Sequence, residues 1–173
     1  MTVASPQGDR GPFGRPAERM VLEGIRLWAR GQALRSTAPW TEAQVLYREA
    51  LGDGMGEEAI VALARFVAVL GRCARCPLRT FPAAANVLSN HETLMLGLVA
   101  GIQNNDEAAI DYCLERLCCR SRCEEVASAA AVFAVTMKAC DRMMRPIPPS
   151  VLERILHEAA GGAEGAARPA TVH

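Results

Sequence analysis

Seven cysteines punctuate the chain, and the residues around them sort them into settings. Cys113 shares an apolar stripe with Ile110, Leu114 and Leu117, and Cys140 falls between Met137 and Met144 at helical spacing. Both are expected inside, where a free cysteine behaves as a small hydrophobe. Cys118 lies at the edge of the first stripe. The remaining four occupy polar surroundings. Cys73 and Cys76 belong to Arg72-Cys73-Ala74-Arg75-Cys76-Pro77, Cys119 projects away from the stripe, and Cys123 follows shortly after Ser121.

Two chemistries suit those four thiols. As thiolates, Cys73, Cys76, Cys119 and Cys123 would supply a tetrahedral zinc site, which needs no redox chemistry. The first pair has the familiar Cys-x-x-Cys spacing. The second pair is Cys-x-x-x-Cys across a helix break, and Ala74-Arg75 offers no glycine to shape a zinc knuckle. A redox reading uses the same residues. Arg72, Arg75 and Arg79 flank the first pair, and Arg116, Arg120 and Arg122 flank the second, with no acidic residue between Glu58 and Glu92. Guanidinium charge and a helix N-terminus both raise a thiol's thiolate fraction, and Cys123 is expected to meet both. A thioredoxin-type site is disfavoured because no strand–helix–strand pattern surrounds the Cys-x-x-Cys. The plain alternative is a set of incidental reduced thiols in a sequence rich in arginine, where Lys138 is the sole lysine.

Other reaction centres find little support. His91, His157 and His173 are too scattered for a histidine metal site, and His91 beside Glu92 reads as a first-turn residue. Gly52-Asp53-Gly54-Met55-Gly56 lacks the Lys-Ser/Thr that completes a phosphate loop. Asp106, Glu107 and Asp111 gather near a helix start, where carboxylates favour the macrodipole in any case. The formal net charge is zero, which removes the basic excess a nucleic-acid binder uses to displace counterions. The helix after Glu57-Glu58 is also too apolar to enter a major groove. The apolar run Val126 to Val135, with Ser128 inside it, is far short of the roughly 20 residues that span a bilayer. The opening residues hold no apolar h-region, so a reducing cytoplasmic setting is expected for an odd number of cysteines.

The elements that would position these thiols are helical. Four pairs match the capping box, in which an N-cap hydroxyl and a Glu or Gln three residues on satisfy orphan N–H groups. They are Thr41 with Gln44, Ser89 with Glu92, Ser121 with Glu124, and Ser150 with Glu153, and Trp40 with Val45 adds a hydrophobic staple to the first. Pro16 suits the first turn of a helix to about Leu34, on which Gly24 and Gly31 would admit a close neighbour. Helices are further expected over Glu42–Leu51 and Glu57–Leu70, the latter central to the fold. An irregular stretch to Leu88 follows. Leu94, Met95, Leu98, Val99 and Ile102 mark the next helix. Asn104-Asn105 makes a tight link to its antiparallel partner. The helix after Ser121 is expected to run through Cys140 to Met144, and Ser150 opens a last short one. The pattern predicts an all-α domain over residues 16–160, a compact bundle of about six helices, with disordered tails at 1–15 and 161–173. Trp28, Leu63, Val67, Leu98, Ile110, Leu114 and Phe133 are the expected core.

From Phe81-Pro82 through Leu88-Ser89-Asn90-His91-Glu92 to Ala100-Gly101-Ile102-Gln103, the chain resembles a group of small all-helical alphaproteobacterial proteins. The likeness extends over most of residues 17–145. It implies a bacterial cytoplasmic origin and an all-helical domain, and it brings no activity and no site with it.

A good helical core without a recognisable reaction centre points to a non-enzymatic protein that acts by protein–protein contact, as a regulator, adaptor or assembly subunit. A protein partner or self-association is expected, with no nucleic acid and no membrane. The alternative is a cysteine-based zinc-binding or thiol redox sensor protein. An enzyme with a helical site of unfamiliar form is the third reading.

Overall fold

The computed structural model describes residues 13–161 and 170–172. Pro16 opens α1 (Pro16–Leu34), whose inward face carries Val21 and Ile25, both fully buried. Trp28 is only half-buried, because its ring stacks on Trp40 at 5.2 Å near the surface. Gly24 and Gly31 do admit close neighbours. A Cβ at Gly24 would lie 2.6 Å from the Tyr47 hydroxyl and 2.8 Å from Leu63, and one at Gly31 would overlap the Trp40 ring.

The next helix, α2 (Ala38–Leu51), starts before the expected Thr41 cap. Thr37 is its N-cap without a side-chain hydrogen bond, and Thr41 Oγ1 donates back to the Thr37 carbonyl at 3.2 Å. Val45 is exposed, so the staple with Trp40 does not form. Gly52, at φ +83°, makes the whole break between α2 and α3 (Asp53–Cys73). The stretch Asp53 to Gly56, expected as a turn, is therefore the first turn of α3. Ala59, Ile60, Leu63, Phe66, Val67 and Leu70 bury its inner faces, while Val61 and Arg65 remain outside.

After α3 the chain forms β1 (Leu78–Thr80), which pairs antiparallel with β2 (Ala170–Val172), Arg79 opposite Thr171. This small sheet lies in stretches expected to be irregular and disordered. Leu78 and Thr80 point inward and Arg79 outward, an alternation too short to read from sequence. Phe13 is also buried, so the ordered body begins ahead of Pro16. The rest of the expected tails, 1–12, 162–169 and His173, lies outside the described residues.

Ser89 caps α4 (Asn90–Asn104) with the complete capping box: Ser89 Oγ accepts from the Glu92 N–H and Glu92 accepts from the Ser89 N–H. Asn105 at φ +54° turns the chain into α5 (Glu107–Leu117), and Gly101 lets the two helices pack closely, since a Cβ there would lie 3.2 Å from the Ile110 side chain. Ile110 ends half-buried at this contact. A 3-10 turn at Arg120–Arg122 absorbs Ser121, and α6 (Cys123–Ala139) begins with Arg122 as an N-cap that makes no side-chain bond. The Ser121 capping box is thus absent.

Cys140 is the C-cap of α6, half-buried instead of internal, because Asp141 at φ +57° ends the helix there. Gln103 holds the segment that follows: its Nε2 donates to Ala134 and Arg142 carbonyls and its Oε1 accepts from the Met144 N–H at 2.8 Å. Met144 is buried there from an extended chain. The last helix, α7 (Pro149–Gly161), opens at Pro149, with Ser150 already inside it. Leu152 of α7 fills the space beside Gly97 of α4.

At the centre, α3 packs on α6 and α2, and α4 packs on α5 and α6. Phe66 and Phe133 stack at 6.3 Å across the α3–α6 seam, with Tyr47 6.5 Å from Phe133. Among the described residues the fold is all-α apart from the two short strands, and no helix is long and apolar enough to cross a membrane.

Candidate functional site

Helix α3 and the α5–α6 connection end at the same place, and there the cysteines meet. Ala74 and Cys118 form an isolated antiparallel bridge. The Arg75 N–H donates to the Leu117 carbonyl at 3.2 Å, and the Cys119 N–H reaches the Cys73 carbonyl at 3.4 Å. Both segments have just left a helix, so each has backbone groups to satisfy, and a single bridge satisfies them mutually. The segment carrying Cys73 and Cys76 and the segment carrying Cys118, Cys119 and Cys123 are thus joined by their main chains.

The sulfurs do not group as the sequence suggests. Cys118, unplaced from sequence, is buried at the centre, and its thiol stands 3.5 Å from the Cys123 sulfur. Cys73 is buried and Cys119 exposed, and both lie close enough to act on Cys118 electrostatically. Burial first, then hydrogen bonding to Cys123, pushes the Cys118 thiol up to about 12. Cys118 therefore keeps its proton and directs it toward Cys123 or the Leu114 carbonyl at 3.3 Å. Arg122 lies over this cluster. Cys73 nearby is the largest influence raising its pKa, and its Nη2 pairs with Glu125 at 2.7 Å. Arg72 of α3 approaches the same Glu125 at 3.7 Å. These exposed pairs contribute little energy, but they set positive charge around the first turn of α6.

Cys76 stands apart from the cluster. Pro77 and β1 carry it to the N-terminus of α4, where its sulfur lies 3.4 Å from His91 Nε2. Among the described residues, no group of three or more His, Cys, Asp or Glu side chains is placed to hold a metal ion. Cys73, Cys119 and Cys123 are thus drawn together with Cys118, while Cys76 takes a histidine partner. The sequence treats His91 as a first-turn residue, which it is. Only β1 docking on that turn makes it a partner for Cys76.

A second polar constellation lies between α1 and the 83–88 segment. Arg26 and Glu92, both buried, form a two-point ion pair at 2.7 and 3.1 Å. Arg26 also donates to the carbonyls of Ala83, Ala85 and Val87, and Glu92 accepts from the N–H groups of Phe81 and Ser89. Every polar atom of the pair is engaged, so it fixes an irregular segment and leaves no group free for a ligand. An open cavity of about 230 Å³ borders it, lined by Phe13, Arg19, Leu22 and Val87. The sequence offered no signal for this pair beyond the Ser89 capping box, which already accounts for Glu92 locally.

Compared with known proteins, the chain matches no protein family, no curated protein and no solved structure.

Proposed function

We propose that this protein is a non-enzymatic regulator whose contact with a protein partner is set by the oxidation state of the Cys118–Cys123 pair. The observation that carries the reading is the 3.5 Å separation of those two sulfurs, with Cys73 and Cys119 beside them. A disulfide needs about 2.05 Å. Cys118 is held by its bridge to Ala74, so closing the gap draws in the first turn of α6. Val132 and Val135 on the outer face of that helix are exposed, and a shift of α6 repositions them for a partner.

The chemistry balances with a hydroperoxide as oxidant. The half-buried Cys123 gives its proton to solvent and its thiolate attacks the outer oxygen. An S–O bond forms, the O–O bond breaks, and the departing alkoxide, or hydroxide from hydrogen peroxide, takes a proton from water. Cys118 then attacks the sulfenic sulfur, an S–S bond forms, and hydroxide leaves with the thiol proton as water. A cytoplasmic, reducing setting would return the pair to thiols.

The test is hydrogen peroxide added in equimolar amount to anaerobically purified, reduced protein, followed by non-reducing peptide mapping. The expected product is the Cys118–Cys123 disulfide, and in Cys118→Ser a sulfenic acid trapped at Cys123. Oxidation that bypasses both residues overturns the proposal. Metal analysis of the same reduced protein separates the zinc reading, since stoichiometric bound zinc would replace this one.

A further inference from the structure

The Cys76–His91 contact supports a second site, distinct in chemistry from the Cys118–Cys123 pair. Its geometry follows from strand β1. The backbone N–H and C=O of Arg79 both turn away from β2 toward the start of α4. The N–H donates to His91 Nδ1 at 3.2 Å, and the carbonyl accepts from Ser89 Oγ at 2.6 Å. A backbone N–H can only donate, so Nδ1 must be the acceptor. The neutral ring therefore carries its proton on Nε2, the nitrogen 3.4 Å from the Cys76 sulfur.

The sulfur is thus a hydrogen-bond acceptor from a ring that cannot take its proton through that nitrogen. Protonating the ring would place an Nδ1–H against the Arg79 N–H. Burial, then the Arg79 guanidinium, lowers the His91 pKa from 6.5, while Glu92 acts in the opposite direction and is itself paired with Arg26. The arrangement is a neutral imidazole N–H donating to a sulfur, not a thiolate–imidazolium ion pair. Arg75 and Arg79 are exposed beside it, and one nitrogen of Arg75 is used on the Glu115 carbonyl.

We infer that Cys76 is a surface exchange site that forms a mixed disulfide with a small, carboxylate-bearing disulfide. The Cys76 proton goes to solvent and the thiolate attacks one sulfur of RS–SR. The new Cys76–S–R bond forms as the S–S bond of the reagent breaks, and the departing RS⁻ is protonated by water. Cys76 is oxidised and half of the reagent reduced, so no further oxidant is needed. The exposed arginines favour an anionic reagent, and the Nε2–H favours the reacting form of the sulfur.

Glutathione disulfide is the probe, with site-resolved mass spectrometry on the full chain. Cys119, also exposed but without an imidazole partner, is the internal control. Cys76 is expected to react about tenfold faster than Cys119, the scale of one hydrogen bond to a charged group. His91→Phe should remove the difference and His91→Gln should restore part of it. The cationic disulfide cystamine should react more slowly than glutathione disulfide. Equal rates at Cys76 and Cys119, or no advantage for the anionic reagent, overturn the inference. Because His91→Phe can disturb the α4 cap, nitrogen-15 NMR of the unmodified protein provides a check that needs no variant. A neutral Nε2–H tautomer for His91 near pH 7 is expected, and an Nδ1–H tautomer or an imidazolium refutes the geometry.

Discussion

Cys113 and Cys118 show how far a thiol's behaviour depends on what surrounds it. Burial pushes both up to about 12 from an ordinary 9.0, with Arg116 opposing the shift at Cys113. A thiol in the unfolded chain loses its proton near 9.0, while these two keep theirs in the fold. Above that pH the unfolded state holds fewer protons, so stability is complete below about pH 9 and declines as pH rises toward 12. The loss reaches about 1.4 kcal/mol per group per pH unit. Tyr47, raised from 10.0 by burial and then by Glu23, adds to the loss in the same direction at higher pH. Urea midpoints measured from about pH 8 to 10.5 should fall, and Cys113→Ala should reduce the slope. A flat profile would mean these thiols are not enclosed as described.

The helix starts differ in what holds them. Of the four capping boxes read from sequence, only Ser89 with Glu92 is formed, and it does more than cap, since Glu92 also pairs with Arg26 and Ser89 Oγ donates to Arg79. At the others the first turn begins elsewhere. Ala38-Pro39 starts α2 ahead of Thr41, the Arg120–Arg122 turn displaces Ser121, and Pro149 precedes Ser150. Ser89→Ala should therefore lower stability by roughly 0.5–2 kcal/mol, and Ser121→Ala should stay within about 0.5 kcal/mol of the parent protein. Denaturant midpoints for the two variants decide it. Equal losses would place the cap of α6 back at Ser121.

Across the whole molecule, α3 packs on α1, α2 and α6, and Phe133 of α6 is fully buried against it, stacked on Phe66 and tilted against Tyr47. Phe133→Ala should cost about 3–5 kcal/mol, through lost burial and the cavity left between three helices. Chemical denaturation would detect it, and a loss below about 1 kcal/mol would show that the α3–α6 seam can collapse around the gap. The same seam ends at Cys73 and Cys123, so the core and the thiol cluster share a boundary.

Helical periodicity and the tight Asn104-Asn105 link were enough to read an all-α bundle, the α4–α5 hairpin and the burial of Leu63, Val67, Leu98, Leu114, Phe133 and Cys113, because these follow from contacts within a few residues along the chain. Gly24 and Gly31 likewise announced close neighbours. The helix starts were legible only as candidates, since a hydroxyl followed by a Glu satisfies the pattern whether or not the chain turns there. The contact of Cys118 with Cys123 spans only the Arg120–Arg122 turn, whereas the pairing of Cys76 with His91 and of Arg26 with Glu92 was decided by tertiary structure alone. Each of these two depends on distant segments meeting in register, β1 docked on the start of α4 for Cys76 and α1 packed beside α4 for Arg26, and the Ala74–Cys118 bridge likewise sets Cys73 beside the Cys118 turn. That register is fixed by the packing of whole helices, which no local spacing of residues encodes.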